Sequence, residues 1–312
     1  MKKIYFIDTV HSILEEKLSG AGYSCINLTK EKTENIRHLV RDAHGIVIRS
    51  RVSLNEDFLK AITNLSFIAR SGSGLENIDL EYCKKHQIEV YNSPEGNKDA
   101  VAEHCLGMLL ALMNNIKSAQ KDLGKGVWDR EANRGSELSA QRVGIIGYGH
   151  NGSAFAQRLR SLGAQVLVYD KFKSGFSSEG IVECSLEDIF ISATVISFHV
   201  PLNEETLYMA DYQFFMSFMH PIYVLNISRG RVLKTEALIQ AIDERVVIGA
   251  GLDVLEEESK SFDIAEANRK IIELTQRPNV ILTPHVAGWT NESYYKLSLV
   301  LAHKVLKQKS PY

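Results

Sequence analysis

The chain has no hydrophobic run long enough to cross a membrane. Asp8, Glu15 and Glu16 interrupt the apolar stretch near the N-terminus, and no window approaches the roughly 18 apolar residues that a transmembrane helix needs. No small-residue cleavage site follows this stretch, so it predicts a first β-strand and not a signal peptide. We therefore expect no membrane partner.

Cysteine is scarce, and neither sign of charge dominates. The four cysteines are far apart and match no zinc spacing, which predicts free thiols in a reducing cytoplasm and no metal. With 36 basic and 38 acidic residues, the chain has no basic excess to bind nucleic acid. A small anionic substrate remains possible, because it needs only a local cluster of cations.

Short β-rich runs alternate with helical runs along nearly all of the 312 residues. The strand-like runs are "KIYFID", "GIVIRS", "LSFIARS" and "IEVYNS", and then "RVGIIGYG", "QVLVYD", "TVISFHV", "IYVLNIS", "VVIGAGLDV" and "NVILTPH". This alternation predicts an α/β protein with parallel sheets covered by helices. The six strands of the second group suit a doubly wound nucleotide-binding domain.

A helical candidate over residues 99–117 separates the two groups of strands. Its stretch "CLGMLLALM" is apolar on nearly every face, so we expect burial between domains or between subunits. A final helical run over 291–308 could pack back on the first group. We therefore predict one domain from residues 1–97 plus 286–312, with residues 98–285 inserted into it as a second domain.

The three glycines of "VGIIGYGHNG" are spaced G-x-G-x-x-G between a buried strand and a helix. In that context Gly147 permits a tight turn, Gly149 lets the backbone approach a pyrophosphate, and Gly152 lets the helix meet the strand. The helix N-terminus, at His150 and Asn151, offers N–H groups to the phosphates. Asp170 ends the next strand, where a carboxylate can bind the ribose of NAD.

Polar residues that could perform hydride-transfer chemistry lie at the ends of the last three predicted strands. Arg229 follows "LNIS", Asp253 and Glu258 follow "GAGL", and His285 follows "ILTP". A guanidinium can bind a carboxylate in a bidentate manner, and an imidazole can exchange the hydroxyl proton. Parallel sheets place ligands at these carboxyl ends, so we expect the side chains to share one site.

At this point the chain resembles the D-isomer-specific 2-hydroxyacid dehydrogenases. The matching segments are "GSGLENIDL", "NSPEGNKDAVAEHCLGMLLAL", "VGIIGYGHNG", "FHVPLNEETL", "NISRGRVLKTEALIQAI", "GAGLDVLEEE" and "TPHVAGW". The resemblance implies a Rossmann NAD-binding domain inserted into a flavodoxin-like substrate or lid domain. It also implies an oxidoreductase that uses NAD, and a homodimer.

The resemblance implies a role for each matching residue. Arg229 would bind the substrate carboxylate, while Glu258 would hold His285 as the acid/base. Asp253 would lie near the nicotinamide. The remaining matches fall into a cofactor-binding group of His199 and Pro201 and a substrate-binding group of Arg49, Ser50, Ser73 and Gly74.

Within the family, "PEGNKDAVAEH", "NRGSEL" and "YDKFK" look most like bacterial D-3-phosphoglycerate dehydrogenases of serine biosynthesis. A phosphorylated substrate needs a second cation, and Arg49 and Arg51 could share one face of a strand end. Arg70, Lys98 and Arg134 are further candidates for this phosphate pocket. A glyoxylate/hydroxypyruvate or D-lactate type of dehydrogenase remains open, as does a non-catalytic protein that senses NAD(H).

Overall fold

The structure is a computed structural model, and it describes residues 1–258, 269–310 and 312. The chain folds into two compact units. The first contains Met1–Lys98 and Trp289–Tyr312, and the second contains Asp99–Glu258 and, among the described residues, 269–288. Residue 98 and residues 286–288 thus fall in the opposite unit from the predicted boundaries. Residues 286 and 287 belong to the second unit because their backbone N–H groups donate to the Asp253 carboxylate.

The first unit is built on a five-stranded sheet in which every strand is parallel to its neighbours. Its order is β2-β1-β3-β4-β5, the flavodoxin-like order. The strands are β1 (Lys3–Phe6), β2 (Ser24–Asn27), β3 (Gly45–Ile48), β4 (Phe67–Arg70) and β5 (Glu89–Tyr91). The helices are α1 (Ile13–Gly20), α2 (Thr33–Leu39), α3 (Glu56–Leu59), α4 (Leu80–Lys85) and α12 (Asn291–Val305).

Both faces of this sheet are covered. The central strands β3 and β4 are buried along their whole length, as expected for parallel strands between two helical layers. Ile36 of α2 packs on one face, and Leu301 of α12 packs on the other face with Phe6 and Leu14. The C-terminal helix therefore completes the core of the first unit.

The second unit has a seven-stranded parallel sheet in the order β12-β11-β10-β9-β6-β7-β8. The strands are β6 (Arg142–Ile146), β7 (Gln165–Tyr169), β8 (Ile181–Glu183), β9 (Val195–Phe198), β10 (Ile222–Asn226), β11 (Val247–Leu252) and β12 (Val280–Leu282). The helices are α5 (Lys98–Met113), α6 (Ile116–Leu123), α7 (His150–Ser161), α8 (Leu186–Ser192), α9 (Tyr212–Met216), α10 (Thr235–Asp243) and α11 (Arg269–Gln276). Six of these strands have the Rossmann order, so the predicted fold class of two parallel-sheet α/β domains is confirmed.

The structure differs from the predicted elements in three places. The sequence analysis missed β2 and β8, so the two sheets have one strand more each than predicted. Both are short edge strands, and three or four residues give too little periodicity to detect. The long helix predicted over 99–117 ends at Met113, because Asn115 adopts a left-handed conformation (φ 52°) before α6 begins.

The apolar residues of α5 contribute to the core of the second unit. Cys105, Leu109 and Leu112 pack with Val143 and Ile145 of β6. The all-round apolar pattern is therefore explained at least in part within this unit. None of the described helices is long and apolar enough to span a membrane.

Candidate active site

The glycine loop after β6 has the geometry that its spacing predicts. Gly147 has φ 98°, and a Cβ built there would lie 2.6 Å from the His199 carbonyl oxygen. A Cβ at Gly152 would lie 2.0 Å from the Gly147 carbonyl oxygen. Neither position has room for a side chain, because the loop, α7 and the end of β9 cross in close contact.

The N-terminus of α7 fits a dinucleotide. A Cβ built on Gly149, the N-cap residue, meets no atom within 4 Å, so the backbone there faces open space. Among the described residues no side chain caps this end of the helix, so the positive end of the helix dipole can attract an anionic ligand. His150 and Asn151 begin the helix, and the buried Asn151 Oδ1 has no hydrogen-bond partner within the described chain.

Asp170 follows β7 and holds the neighbouring loops together. Its Oδ2 accepts from the Tyr148 N–H at 2.6 Å, and its Oδ1 accepts from the N–H groups of Phe172 and Lys173. The two nearby lysines also have partners. Lys171 pairs with Glu205 at 2.6 Å, and the Lys173 ammonium donates to the Tyr148 carbonyl at 2.8 Å. The carboxylate is thus fixed beside the glycine loop, where a ribose can reach it.

His199 lies at the end of β9, behind the glycine loop. Its Nε2 lies 2.8 Å from the Ser197 hydroxyl, and its ring packs against Phe155. Burial lowers the pKa of His199 to about 3, so the imidazole is neutral. Its Nδ1 is buried and has no partner among the residues that the structure describes. Pro201 follows in the same segment, where its carbonyl accepts from the Thr206 hydroxyl at 2.6 Å.

Arg229, Asp253 and His285 follow the ends of three adjacent strands, β10, β11 and β12. Asn226 shapes the Arg229 loop, since its Nδ2 donates to the Arg229 carbonyl at 3.0 Å. The Arg229 Nη1 donates to the Ser228 carbonyl at 2.6 Å. The fold thus brings the predicted residues to one edge of one sheet.

His285 and Glu258 form a direct pair. The His285 Nδ1 lies 2.7 Å from the Glu258 Oε2, and both side chains are mostly buried. The other Glu258 oxygen, Oε1, accepts from the Leu255 N–H at 2.6 Å, which fixes the carboxylate. An ionised carboxylate accepts from Nδ1–H, so this geometry orients the imidazole and assigns proton exchange to Nε2.

Asp253 builds the turn that carries His285. This carboxylate is 1% exposed and accepts from the N–H groups of Val286 and Ala287, at 2.9 and 2.8 Å. The Asp253 carbonyl accepts from the His285 N–H at 2.8 Å. These bonds hold His285 in a left-handed conformation (φ 55°), which a non-glycine residue rarely adopts.

The sequence analysis missed two residues of this network, Thr283 and His104. The Thr283 hydroxyl donates to Asp253 Oδ1 at 2.6 Å, and the His104 Nε2 lies 2.9 Å from the same hydroxyl. Because the Thr283 proton points to the carboxylate, its oxygen accepts from His104 Nε2–H. His104 lies in the apolar helix α5, where the sequence pattern predicted only packing.

The predicted substrate-binding residues of the first unit lie at the ends of β3 and β4. Arg49 and Ser50 follow β3, while Ser73 and Gly74 lie in the loop after β4. The Ser73 hydroxyl donates to Asn97 Oδ1 at 2.8 Å. The Arg49 guanidinium lies over the Trp289 ring, with Cζ 3.8 Å from the ring centroid.

Two of the other expected cations, Arg51 and Arg70, are directed to the protein backbone. Arg51 donates to the carbonyl groups of Ile7 and Thr29 at 3.0 Å and to that of Glu31, so it holds the loop after β2. The expectation that Arg51 shares a ligand-binding face with Arg49 is therefore wrong. Arg70 is also buried, with its guanidinium against the backbone of Gly72.

A Rossmann domain with a glycine loop before a helix, an acidic residue after the next strand and a His–Glu pair at the sheet edge is typical of a nicotinamide-dependent dehydrogenase. A model of the D-isomer-specific 2-hydroxyacid dehydrogenase NAD-binding domain matches residues 106–287. The chain belongs to this family, and the predicted NAD cofactor is confirmed. It is an NAD-dependent D-2-hydroxyacid dehydrogenase.

The curated relatives of the chain are named for different substrates. A hydroxypyruvate reductase of Thermotoga maritima is 31% identical over 285 residues, which cover 91% of each chain. D-3-phosphoglycerate dehydrogenases of Haemophilus influenzae and Escherichia coli are 32% and 33% identical, over 98% of this chain and 74% of theirs. The family is therefore shared by relatives whose substrates differ.

Solved structures agree with this assignment. A D-lactate dehydrogenase from Aquifex aeolicus, in complex with NAD and lactic acid, superposes with a TM-score of 0.82 at 29% identity, covering 98% of this chain and 94% of that one. A glyoxylate reductase from Paecilomyes thermophila has a TM-score of 0.86 over 98% of this chain and 94% of that one, but at 18% identity it shows the fold alone.

Proposed function

We propose that the chain oxidises D-3-phosphoglycerate to 3-phosphohydroxypyruvate, a reaction of serine biosynthesis. The observation that carries the chemistry is the 2.7 Å pair of His285 Nδ1 and Glu258, which follow β12 and β11, while Arg229 follows the adjacent strand β10. The choice of substrate is supported by the phosphoglycerate dehydrogenases that match 98% of the chain, and by the Arg49 guanidinium.

Three residues of the second unit have separate roles in the reaction. Arg229 binds the substrate carboxylate through two parallel N–H bonds, which fixes C2 and its hydroxyl. His285 takes the hydroxyl proton on Nε2, and Glu258 stabilises the imidazolium that forms. Bound NAD supplies the acceptor for the hydride that leaves C2. In the direction of reduction, His285 begins protonated and donates its proton to the carbonyl oxygen.

Arg49 binds the phosphate group, because Arg229 serves only the carboxylate. A planar guanidinium matches phosphate oxygens in a bidentate manner. Arg51 is not part of this site, since its donors are directed to backbone carbonyls.

A panel of 2-keto acids with purified protein and NADH tests this substrate. We expect kcat/KM for 3-phosphohydroxypyruvate to exceed that for hydroxypyruvate, glyoxylate and pyruvate by at least tenfold. Faster turnover of an unphosphorylated acid would reject the phosphoglycerate assignment and leave the dehydrogenase class intact.

The same panel tests the second candidate, a hydroxypyruvate or glyoxylate reductase. The match to the Thermotoga maritima hydroxypyruvate reductase over 91% of both chains favours it. A protein that only senses NAD(H) would bind NADH and turn over none of these acids.

Asp170 also supports a preference for NAD over NADP. Its fixed carboxylate repels a ribose 2′-phosphate, and the two neighbouring lysines are directed to Glu205 and to the Tyr148 carbonyl. Equal kcat/KM values with the two cofactors would contradict this preference. The four cysteines are free thiols, which supports the proposed cytoplasmic location.

A further inference from the structure

Two hydrogen bonds fix the backbone of Arg49 in the first unit. Its N–H donates to Asp8 Oδ2 at 2.5 Å, and its carbonyl accepts from the Asn77 side chain at 3.1 Å. These two bonds fix the backbone of Arg49 at the end of β3. Its guanidinium lies on the indole of Trp289, at the 3.8 Å separation of a close cation–π contact.

The Arg49 guanidinium is desolvated but not neutralised by a direct ion pair. Burial lowers the pKa of Arg49, although the nearby Asp8 carboxylate and Tyr294 act in the opposite direction. Asp8 Oδ2 accepts from the backbone N–H groups of Arg49 and Arg51. Within the described chain, no acceptor forms a hydrogen bond with the guanidinium of Arg49.

An aromatic ring satisfies only the face of a guanidinium. The five N–H donors lie around the edge of the plane and need oxygen acceptors. A partly buried cation without such acceptors is costly, and an anionic ligand with two oxygens removes that cost. The pair of Arg49 and Trp289 thus has the properties of a receptor for a phosphate.

Trp289 directly precedes the start of α12. Thr290 is the N-cap of this helix, and its hydroxyl and that of Ser293 form a reciprocal capping box. One turn further, Tyr294 and Tyr295 pack edge-on against His11, with ring centroids 5.6 and 5.0 Å away. Trp289 thus directly precedes a capped helix, and 59% of it is exposed.

We propose that Trp289 is the specificity-determining residue of the first unit, because its ring holds the Arg49 guanidinium in position for the phosphate of a phosphorylated 2-hydroxy acid. This inference rests on the proposed function for the identity of the acid. It adds a residue and a physical role that the substrate assignment does not contain. Removal of the indole lets the guanidinium rotate and regain water, so the phosphate loses its preorganised partner.

The chain contains two tryptophans, which makes the site directly observable. In a Trp128→Phe background, Trp289 is the single indole reporter, and its fluorescence can be titrated with D-3-phosphoglycerate, D-glycerate and inorganic phosphate. We expect a saturable change with phosphoglycerate, a weaker one with phosphate, and none with glycerate at the same concentration. Arg49→Ala should abolish the change, whereas Lys85→Ala, which removes an exposed cation of the same unit, should not.

Calorimetry on the full chain with NADH present provides the second measurement. Trp289→Leu should weaken phosphoglycerate binding by roughly fivefold to thirtyfold, the range of a desolvated cation–π contact, and leave the Kd for NADH unchanged. Trp289→Phe, which keeps an aromatic face, should recover part of the affinity.

The outcomes separate this inference from the proposed function. If phosphoglycerate is oxidised but Trp289→Leu binds it as tightly as the parent, the inference is overturned and the function stands. If phosphoglycerate binds with the expected dependence on Arg49 and Trp289 but is not oxidised, the phosphate receptor stands and the substrate assignment fails. Absence of any fluorescence response to phosphoglycerate or phosphate also overturns the inference.

Discussion

At the scale of single residues, we propose that proton transfer depends on the pair of His285 and Glu258. His285→Ala should lower kcat by roughly 10²–10⁴, the usual contribution of a positioned acid/base. Glu258→Gln should cost less and shift the pH–rate profile, because an amide cannot stabilise the imidazolium. Steady-state kinetics from pH 5 to 9, with NADH and the preferred 2-keto acid, measure both effects. Near wild-type turnover by His285→Ala would remove it from the acid/base role.

His199 gives a pH-dependent contribution to stability that is separate from catalysis. Burial lowers its folded-state pKa from 6.5 to about 3, so the unfolded chain binds the proton first as the pH falls. The contribution of His199 to the free energy of unfolding is fully present above pH 6.5, the pKa of the unfolded chain. It decreases at lower pH, by about 2 kcal/mol between pH 7.5 and 5.

Urea unfolding of the wild-type chain and of His199→Gln at both pH values isolates this contribution. The wild-type protein should lose more unfolding free energy than the variant on acidification. Equal losses in the two proteins would show that His199 is not held neutral.

At the scale of elements, the turn after β12 positions His285 through bonds from two other segments. The network His104–Thr283–Asp253 holds the carboxylate that accepts the N–H groups of residues 286 and 287. His104→Leu should lower kcat several-fold with little change in KM for NADH, because α5 no longer supports the turn. His104→Gln, which can present an N–H at the position of Nε2, should recover most of the rate.

Thr283 provides an independent comparison on the same network. Thr283→Val removes the hydroxyl that bridges His104 and Asp253, and Thr283→Ser retains it. Rapid kinetics at saturating NADH should therefore show a lower rate of hydride transfer in Thr283→Val. Thr283→Ser should keep the wild-type rate. If serine and valine behave alike, the hydroxyl does not position the catalytic turn.

At the scale of the whole molecule, exposed apolar side chains favour assembly. Helix α6 has no buried residue, and Ile116, Leu123 and Trp128 on and just after it are 57%, 54% and 80% exposed. Exposed apolar side chains of this size are common at subunit interfaces when they form one patch. We expect a homodimer, the commonest closed assembly, in which a second copy covers this segment.

Light scattering at low micromolar concentration measures this assembly. The wild-type chain should have twice the monomer mass of 35.0 kDa. Replacement of Leu123 and Trp128 by serine should shift it toward the monomer, whereas serine at the exposed Phe172 should not. A wild-type chain that stays monomeric across the concentration range would refute the dimer.

The sequence by itself determined the parts of this protein that depend on local pattern. The alternation of apolar strands and helices specifies two parallel sheets, and the glycine spacing with a strand before it and a helix after it specifies the dinucleotide loop. The order of Arg229, Asp253, Glu258 and His285 at strand ends specifies the site, because parallel strands bring their carboxyl ends to one edge. These features are encoded within a few residues each.

Tertiary structure alone decided which partner each of these side chains has. Arg49 and Arg51 are near neighbours in the chain, yet Arg49 lies on Trp289, whereas Arg51 donates to the carbonyl groups of Ile7, after β1, and Thr29, after β2. His104 lies in an apolar helix and still bonds Thr283, 179 residues later. Hydrogen bonds and ring contacts between distant segments depend on how the elements pack, and spacing along the chain carries no record of that packing.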